Sequence, residues 1–217
     1  MPFTRIELVL LGIVGHRLHV LLARRAEAPY PGRWALPGGV LRVDLDRSLE
    51  EAAARVAGER LGLDGLLFRQ VAAIGGPTRD PRAPWALSIV FRALVVAEAL
   101  SPVAGKRVEA LEWRDADVAS ADERLAFDHN QLVAQAVTAA RHEIDVLELP
   151  LQLLPTQFTL GELQAVCEEV LGRPLDKSSF RRRLADRDLV EPVEGAQRIG
   201  PFRPAQLYSR KPQRKGI

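Results

Sequence analysis

The chain has 217 residues, 47% of them hydrophobic and 27% charged, which is enough apolar material for one large domain or two smaller ones and too much for an intrinsically disordered chain. Its single cysteine, Cys167, excludes an internal disulfide, suits a reducing compartment and reads as a small core hydrophobe. The net charge of +2 is unevenly placed: residues from Lys177 onward carry 11 basic against 4 acidic side chains, which points to an anionic partner for that part.

The opening MPFTRIELVLLGIVG lacks a basic n-region and a cleavage site, so no secretory leader is expected and the expected location is cytoplasmic. Its apolar run Ile6–Val14 is too short to span a bilayer, so no membrane partner is expected, and it reads as a buried strand pairing with Leu18–Leu22 around Gly15-His16-Arg17. Arg24–Arg33 contains two prolines and a glycine and predicts a loop. Leu36-Pro37-Gly38-Gly39 follows, with glycines that let backbone N–H groups approach a ligand. Residues 48–61 predict a helix. Ser48 and Glu51 give a capping-box signature, and Leu49, Ala52, Ala53, Val56, Ala57 and Leu61 give one apolar stripe. Glu50, Glu51 and Glu59 read as its solvated face. Val71–Pro84 reads as irregular, Trp85–Val96 as a long strand, 103–118 as a shorter strand and turn, and Arg124–Ile144 as a helix. Strands mixed with helices predict an α/β sandwich.

After Pro150 and Pro155 the pattern changes. Thr159 and Glu162 form a second capping box, and Leu160, Leu163, Val166, Cys167, Val170 and Leu171 line one helix face. A short turn over Gly172 to Leu175 follows, and Asp176 caps a helix KSSFRRRLADRD. Leu189–Val193 and Ala205–Tyr208 read as strands around a loop, Glu194–Pro204. Helix, turn, helix, hairpin is the order of a winged helix-turn-helix. In the second helix Phe180 and Leu184 point to a core, leaving Lys177, Ser178, Ser179, Arg181, Arg182 and Arg183 as candidates for double-stranded DNA. Arg198 and Arg203 in the hairpin are suited to backbone or minor-groove contacts, and Arg210, Lys211, Arg214 and Lys215 add a basic tail. The other reading of Arg181–Arg183 is a solvated basic face on a structural helix.

Arg33–Leu63, RWALPGGVLRVDLDRSLEEAAARVAGERLGL, resembles a Nudix box, G-x5-E-x7-R-E-U-x-E-E-x-G-U, without its acidic residues. Anchored on Gly62, Arg55 is the box arginine and Val56 replaces the carboxylate after it. The carboxylate pair becomes Glu59 and Arg60, the earlier glutamate falls on Arg47, and Gly39 sits two residues too far upstream. Such boxes hold Mg²⁺ or Mn²⁺, hard cations that need several converging carboxylates. With Val56 on the core face and Arg60 a cation, no catalytic residue, metal ligand or cofactor is expected. The competing reading is a pyrophosphatase with a rearranged metal site, drawing on Asp44, Asp46 and Glu59.

Both halves together resemble the Nudix-related transcriptional regulators of the NrtR type. The resemblance rests on GRWALPGGVLRVDLDRSLEEAAARV, on RDPR at Arg79–Arg82 with the strand of Trp85, and on FTLGELQAVCEEVLGRPLDKSSFRRRLADRDLVEP; LAFDHNQLV, from Leu125, is shared more broadly with ADP-ribose-type Nudix domains. It implies a Nudix α/β/α sandwich over residues 1–148, followed by a winged helix-turn-helix domain over 155–217. It implies a dimeric repressor of NAD-biosynthesis genes, released from a palindromic operator by ADP-ribose or a related nucleotide effector. The effector pocket is then expected between Arg24–Trp34, Gly38-Gly39 and Arg79–Arg82. Arg24, Arg25, Arg79, Arg82 and the amides of Gly38 and Gly39 would hold phosphates, and Trp34 or Trp85 would wall a base or ribose. Each tryptophan can equally be core packing, and Arg79 can equally bridge to Asp80 or another carboxylate.

Overall fold

The computed structural model describes residues 3–199 and 204–211, and the chain divides into two compact units, Met1–Ala140 and Arg141–Ile217. The first is built on β1 (Phe3–Val14), whose residues Ile6 and Leu8 to Leu11 are fully buried. That near-continuous apolar run is what a strand covered on both faces requires. β1 pairs in parallel with β6 (Ala86–Val95) along its length, from Phe3↔Ala86 to Gly12↔Val95. Its other edge is shared: Leu11 to Val14 pair antiparallel with β2 (Arg17–Arg25), and Arg5 to Glu7 pair antiparallel with β4 (Gly38–Val40). β3 (Trp34–Ala35) and β7 (Val108–Asp115) join β2, and β5 (Arg69–Gly76) joins β6, completing a seven-stranded sheet.

α1 (Leu49–Leu61) covers one face, packing Ala52, Ala53, Val56, Ala57 and Leu61 against Ile6, Leu8 and Leu10. Ser48 Oγ caps it from Glu51 N at 3.1 Å, and Gly62 closes it in the left-handed region at φ 63°. The Glu51 carboxylate does not complete the box expected with Ser48. It accepts from the Arg47 amide at 3.1 Å and from the Arg47 guanidinium. Gly38 and Gly39 lie in β4, and their missing side chains are answered by the protein. A Cβ on Gly38 would stand 1.9 Å from Glu7 Oε2, and one on Gly39 2.7 Å from Val56 Cγ2.

Several expected elements change. β5 occupies Arg69–Gly76, where Val71–Pro84 read as irregular; its Ala- and Gly-rich stretch has no alternation to betray it, and backbone pairing to β6 holds it. Gly75 leaves room for the Trp85 ring, which would otherwise stand 2.3 Å from a Cβ. Where the strand and turn expected over 103–118 end, the chain forms α2 (Ala116–Ala121), too short for a helical period to show and capped by Asp115. α3 (His129–Asp145) begins five residues later than expected, because Phe127 adopts a left-handed conformation at φ 57°.

The second unit starts from β8 (Gln157–Phe158), which carried no sequence signal, and α4 (Leu160–Leu171). Thr159 and Glu162 form a reciprocal capping box, and Leu163, Cys167, Val170 and Leu171 are buried. Burial pushes the Cys167 thiol up to about 12, as befits a core hydrophobe. α5 (Lys177–Arg187) is capped by Asp176 at 2.7 Å from Ser179 N, with Phe180 and Leu184 buried. β9 (Val190–Arg198) runs past the strand expected to end at Val193, continuing through Gly195 at φ 68° into what read as loop. With β10 (Ala205–Arg210) it forms a three-stranded sheet in the order β8-β10-β9. Among the described residues, no helix is long and apolar enough to cross a membrane.

Gly38→Ala is expected to lower stability by about 1–3 kcal/mol, because the new methyl meets a buried carboxylate and the Ile6 carbonyl at 2.9 Å. Urea unfolding measures this, and an unchanged midpoint would show that β4 shifts without penalty.

Candidate functional site

An open cleft lies in the first unit where β1, β2 and α1 meet the segment Ala35 to Gly38. Six arginines line it: Arg5 from β1, Arg24 and Arg25 from β2, Arg60 from α1, then Arg82 and Arg107. Four have carboxylate partners. Arg5 Nε donates to Glu7 at 2.6 Å, with both groups buried; Arg82 pairs with Asp80 at 2.5 Å, Arg107 with Glu27 at 3.0 Å and Arg24 with Glu109 at 3.5 Å. Among the described residues, Arg25 and Arg60 form no ion pair and donate to carbonyl oxygens. Arg25 donates to Pro29 O at 2.6 Å and Glu27 O at 3.4 Å; Arg60 donates to Gly38 O at 3.1 Å and to Lys106 O. Burial and the nearby cations Arg5 and Arg82 lower the Arg25 pKa, and burial followed by Arg107 lowers that of Arg60. The cleft is thus a surplus of fixed positive charge in a partly desolvated place.

His129 supports one wall. Its Nδ1 accepts from Leu36 N at 2.8 Å, and its ring stacks on Phe127 at 5.0 Å. With Nδ1 an acceptor, the proton of the neutral ring sits on Nε2, on the side of Glu7 Oε2 at 3.9 Å. Burial first, then Arg5, pushes the His129 pKa down to about 3. Phe127 also faces the guanidinium groups of Arg25, Arg5 and Arg82 at 5.1, 5.9 and 6.0 Å.

Of the residues expected to bind an effector, Arg24, Arg25, Gly38 and Arg82 line this cleft. The other four make contacts elsewhere. Gly39 packs on Val56. Trp34 stacks under Arg114 at 4.5 Å, and Trp85 covers Gly75. Arg79 is the structural bridge of its alternative reading, with Asp128 rather than Asp80 as partner, at 2.7 and 2.9 Å. Arg5, Glu27, Arg60, Arg107, Phe127 and His129 were not singled out from sequence as lining or supporting the pocket. Arg60 alone carried a signal, a cation at a carboxylate position; chain folding brings the others together.

The box residues do not fit a hard cation. Val56 is buried in the core. Asp46 is chelated by Arg55 at 2.6 and 2.8 Å and accepts from Arg42 N at 2.7 Å. Asp44 pairs with Arg42 at 3.0 Å and Glu59 with Arg55 at 3.3 Å. Each carboxylate of the rearranged-site reading is therefore engaged by an arginine. Among the described residues, no three His, Cys, Asp or Glu side chains group as metal ligands.

In the second unit Lys177, Ser178, Arg181 and Arg182 are exposed on α5, and the three cations form no ion pair among the described residues. Ser179 is half-buried at the capped first turn. Arg183 turns away, donating to Asp145 O, and Arg198 pairs with Glu162, the capping-box carboxylate of α4. Both grip their own unit. Lys211 pairs with Asp188. Arg203, Arg214 and Lys215 lie outside the described residues.

Comparison with known proteins places both parts. The NUDIX domain matches residues 6–136, and the NrtR DNA-binding winged helix domain matches residues 150–209. The ADPR responsive transcriptional repressor NtrR of Acinetobacter baylyi is 35% identical over 207 residues, which are 95% of this chain and 81% of the relative. NrtR of Shewanella oneidensis, solved with a 27mer DNA, is 31% identical with a TM-score of 0.75, over 96% of this chain and 93% of that one. Its NUDIX domain, solved with ADP ribose, is also 31% identical, with a TM-score of 0.57, over 64% of this chain and 88% of that one. ADP-ribose pyrophosphatase of Methanocaldococcus jannaschii is 33% identical over 122 residues, 56% of this chain and 68% of the relative.

His129 stays neutral in the folded chain from its usual 6.5 down to about 3. The unfolded chain takes up that proton across the same window, so stability rises with pH there and is fully regained above 6.5. This contributes up to about 1.4 kcal/mol per pH unit. Urea unfolding at several pH values reads the slope, and His129→Gln, which keeps an acceptor for Leu36 N, is expected to flatten it. Equal slopes in the two proteins would remove the histidine from the account.

Proposed function

The chain belongs to the family of Nudix-related regulators that end in an NrtR-type winged helix, and from this premise we propose that it is a cytoplasmic transcriptional repressor that ADP-ribose or a related nucleotide releases from its operator. The observation that carries the reading is α5. Phe180 and Leu184 fix it in the core while Lys177, Ser178, Arg181 and Arg182 remain exposed and unpaired with acids among the described residues. Arginine can grip guanine bidentately, and short hydroxyls reach phosphate or base edges. The relatives' names point the same way: one is an ADPR responsive repressor, and another was solved both on DNA and, as its NUDIX domain, with ADP ribose.

In this reading a homodimer presents two α5 helices to successive major-groove faces of double-stranded DNA, about one helical turn or roughly 34 Å apart. The nucleotide in the cleft favours the conformation that binds DNA poorly, and its differential affinity for the two states sets the response. Lys177, Ser178, Ser179, Arg181 and Arg182 carry DNA recognition. Arg24, Arg25, Gly38 and Arg82, joined by Arg5, Arg60 and Arg107, carry effector binding, with no hydrolysis.

The likeness to a pyrophosphatase favours a second reading, hydrolysis of ADP-ribose. Against it stand Val56, Arg60 and the arginine-bound carboxylates Asp44, Asp46 and Glu59.

A gel shift on DNA from upstream of this gene and of NAD-biosynthesis genes is expected to show a specific complex that ADP-ribose abolishes. A complex indifferent to ADP-ribose would sink the effector. Arg182→Ala is expected to weaken specific binding by roughly 1–3 kcal/mol while ADP-ribose binding is kept. Affinity should fall with salt at a log–log slope of about −0.9 per phosphate contact. Mg²⁺-dependent hydrolysis of ADP-ribose, lost in Glu59→Gln, would turn the assignment to the enzyme.

A further inference from the structure

We infer that the cleft binds a nucleoside diphosphate with two built-in cations, Arg25 and Arg60, and that these replace the divalent metal of hydrolytic Nudix domains. The inference rests on the effector reading above, in that it places a nucleotide in this cleft. It adds which groups meet the diphosphate, and that no Mg²⁺ is needed.

The cation–carboxylate ledger carries the argument. Four cleft arginines are neutralised by Glu7, Asp80, Glu27 and Glu109. Among the described residues, Arg25 and Arg60 form no ion pair and donate to carbonyl oxygens, and carbonyl dipoles orient a guanidinium without cancelling its charge. These orienting bonds also fix the two groups before any ligand arrives. Arg25 is held from two carbonyls and lies over Phe127. Arg60 is held between Gly38 O and Lys106 O, and its Nη2 makes no hydrogen bond among the described residues. Two fixed guanidinium groups in one cleft, neither in an ion pair among the described residues, match the two charged phosphates of a diphosphate better than a single phosphate. Planar arginine forks suit phosphate oxygens.

The metal's absence from this scheme follows from the donors. Where the Nudix pattern has metal-directed carboxylates, this chain has Val56 in the core and Arg60 on the cleft wall. Asp46 is closed off by Arg55. A Mg²⁺ ion here would face a guanidinium and few free oxygens. The same change that removes the metal site supplies a permanent positive charge in its place.

Arg60 also touches the loop after Gly105, since its own carbonyl accepts from Gly105 N at 3.0 Å. A purely structural latch would make the same contacts, so the test must separate the two roles. Isothermal titration of the full chain with ADP-ribose, ADP and AMP, in EDTA and again in excess Mg²⁺, does so. The unaltered chain is expected to bind ADP-ribose with the same Kd in both buffers and to prefer ADP to AMP. Arg60→Met and Arg25→Met are each expected to weaken ADP and ADP-ribose by roughly ten- to hundred-fold and AMP far less. Binding that is lost in EDTA and restored by Mg²⁺ overturns the inference. Equal weakening of ADP and AMP by Arg60→Met makes Arg60 a loop latch and overturns it too. Should Arg60→Met fail to fold, the EDTA comparison and Arg25→Met still decide. No binding of any of the three overturns it as well. Metal-free diphosphate binding that leaves a DNA complex intact instead overturns the repressor reading and leaves this inference standing.

Discussion

One buried carboxylate organises the first unit. Glu7 lies on the central strand β1 with its side chain 1% exposed, and it pairs with Arg5, two residues away on the same face of the strand. An ion pair taken out of water survives only when its geometry is good and its neighbours accommodate it, and removing one partner strands the other charge. The neighbours here are Gly38, which has no Cβ to collide with Glu7 Oε2, and neutral His129, which holds Leu36 N. The pair therefore constrains where β4 runs and which way Arg5 faces. Those positions define the back of the cleft.

The same economy of contacts explains α1. In a metal-binding Nudix helix the face over β4 would carry carboxylates. In this chain that face is Val56 against Gly39, ordinary close packing. Arg55 is turned to Asp46 and Glu59, which ties the loop before the helix to its body. Arg60 bridges two carbonyls at the mouth. The helix keeps its capping and its apolar stripe, so the fold survives the change. What changes is the sign of the charge that the helix presents to the cleft, where Arg60 stands in place of a carboxylate.

The second unit divides its basic residues into two kinds. Arg183 and Arg198 grip Asp145 and Glu162 within their own unit, and Lys211 grips Asp188. Lys177, Arg181 and Arg182 are left to solvent on one exposed surface of α5. A count of positive charge could not tell these groups apart, because the distinction lies in which carboxylate or carbonyl each side chain can reach.

How much of this was legible in the sequence depends on the range of the interaction. Helix ends were plain, because Ser48, Thr159 and Asp176 cap within their own first turns. So were the buried strand β1, the apolar stripe of α1 and the loss of box carboxylates at Val56 and Arg60, each a local pattern. β3, β4, β5, β8 and α2 were missed: the strands are very short or Ala- and Gly-rich and are held by partner strands, and α2 is too short for periodicity to show. The cleft was half legible. Arg24, Arg25, Gly38 and Arg82 were named from their neighbourhood, whereas Arg5, Arg107 and Phe127 come to the site from strand and loop positions far apart in the chain. The sequence by itself determined the two-part architecture, the missing metal donors and a basic helix with a buried Phe180–Leu184 seam, because periodicity, capping and residue chemistry act over a few neighbours. Only the tertiary structure decided which arginines are neutralised and which are left open, because an ion pair depends on distances between side chains that the chain order does not set.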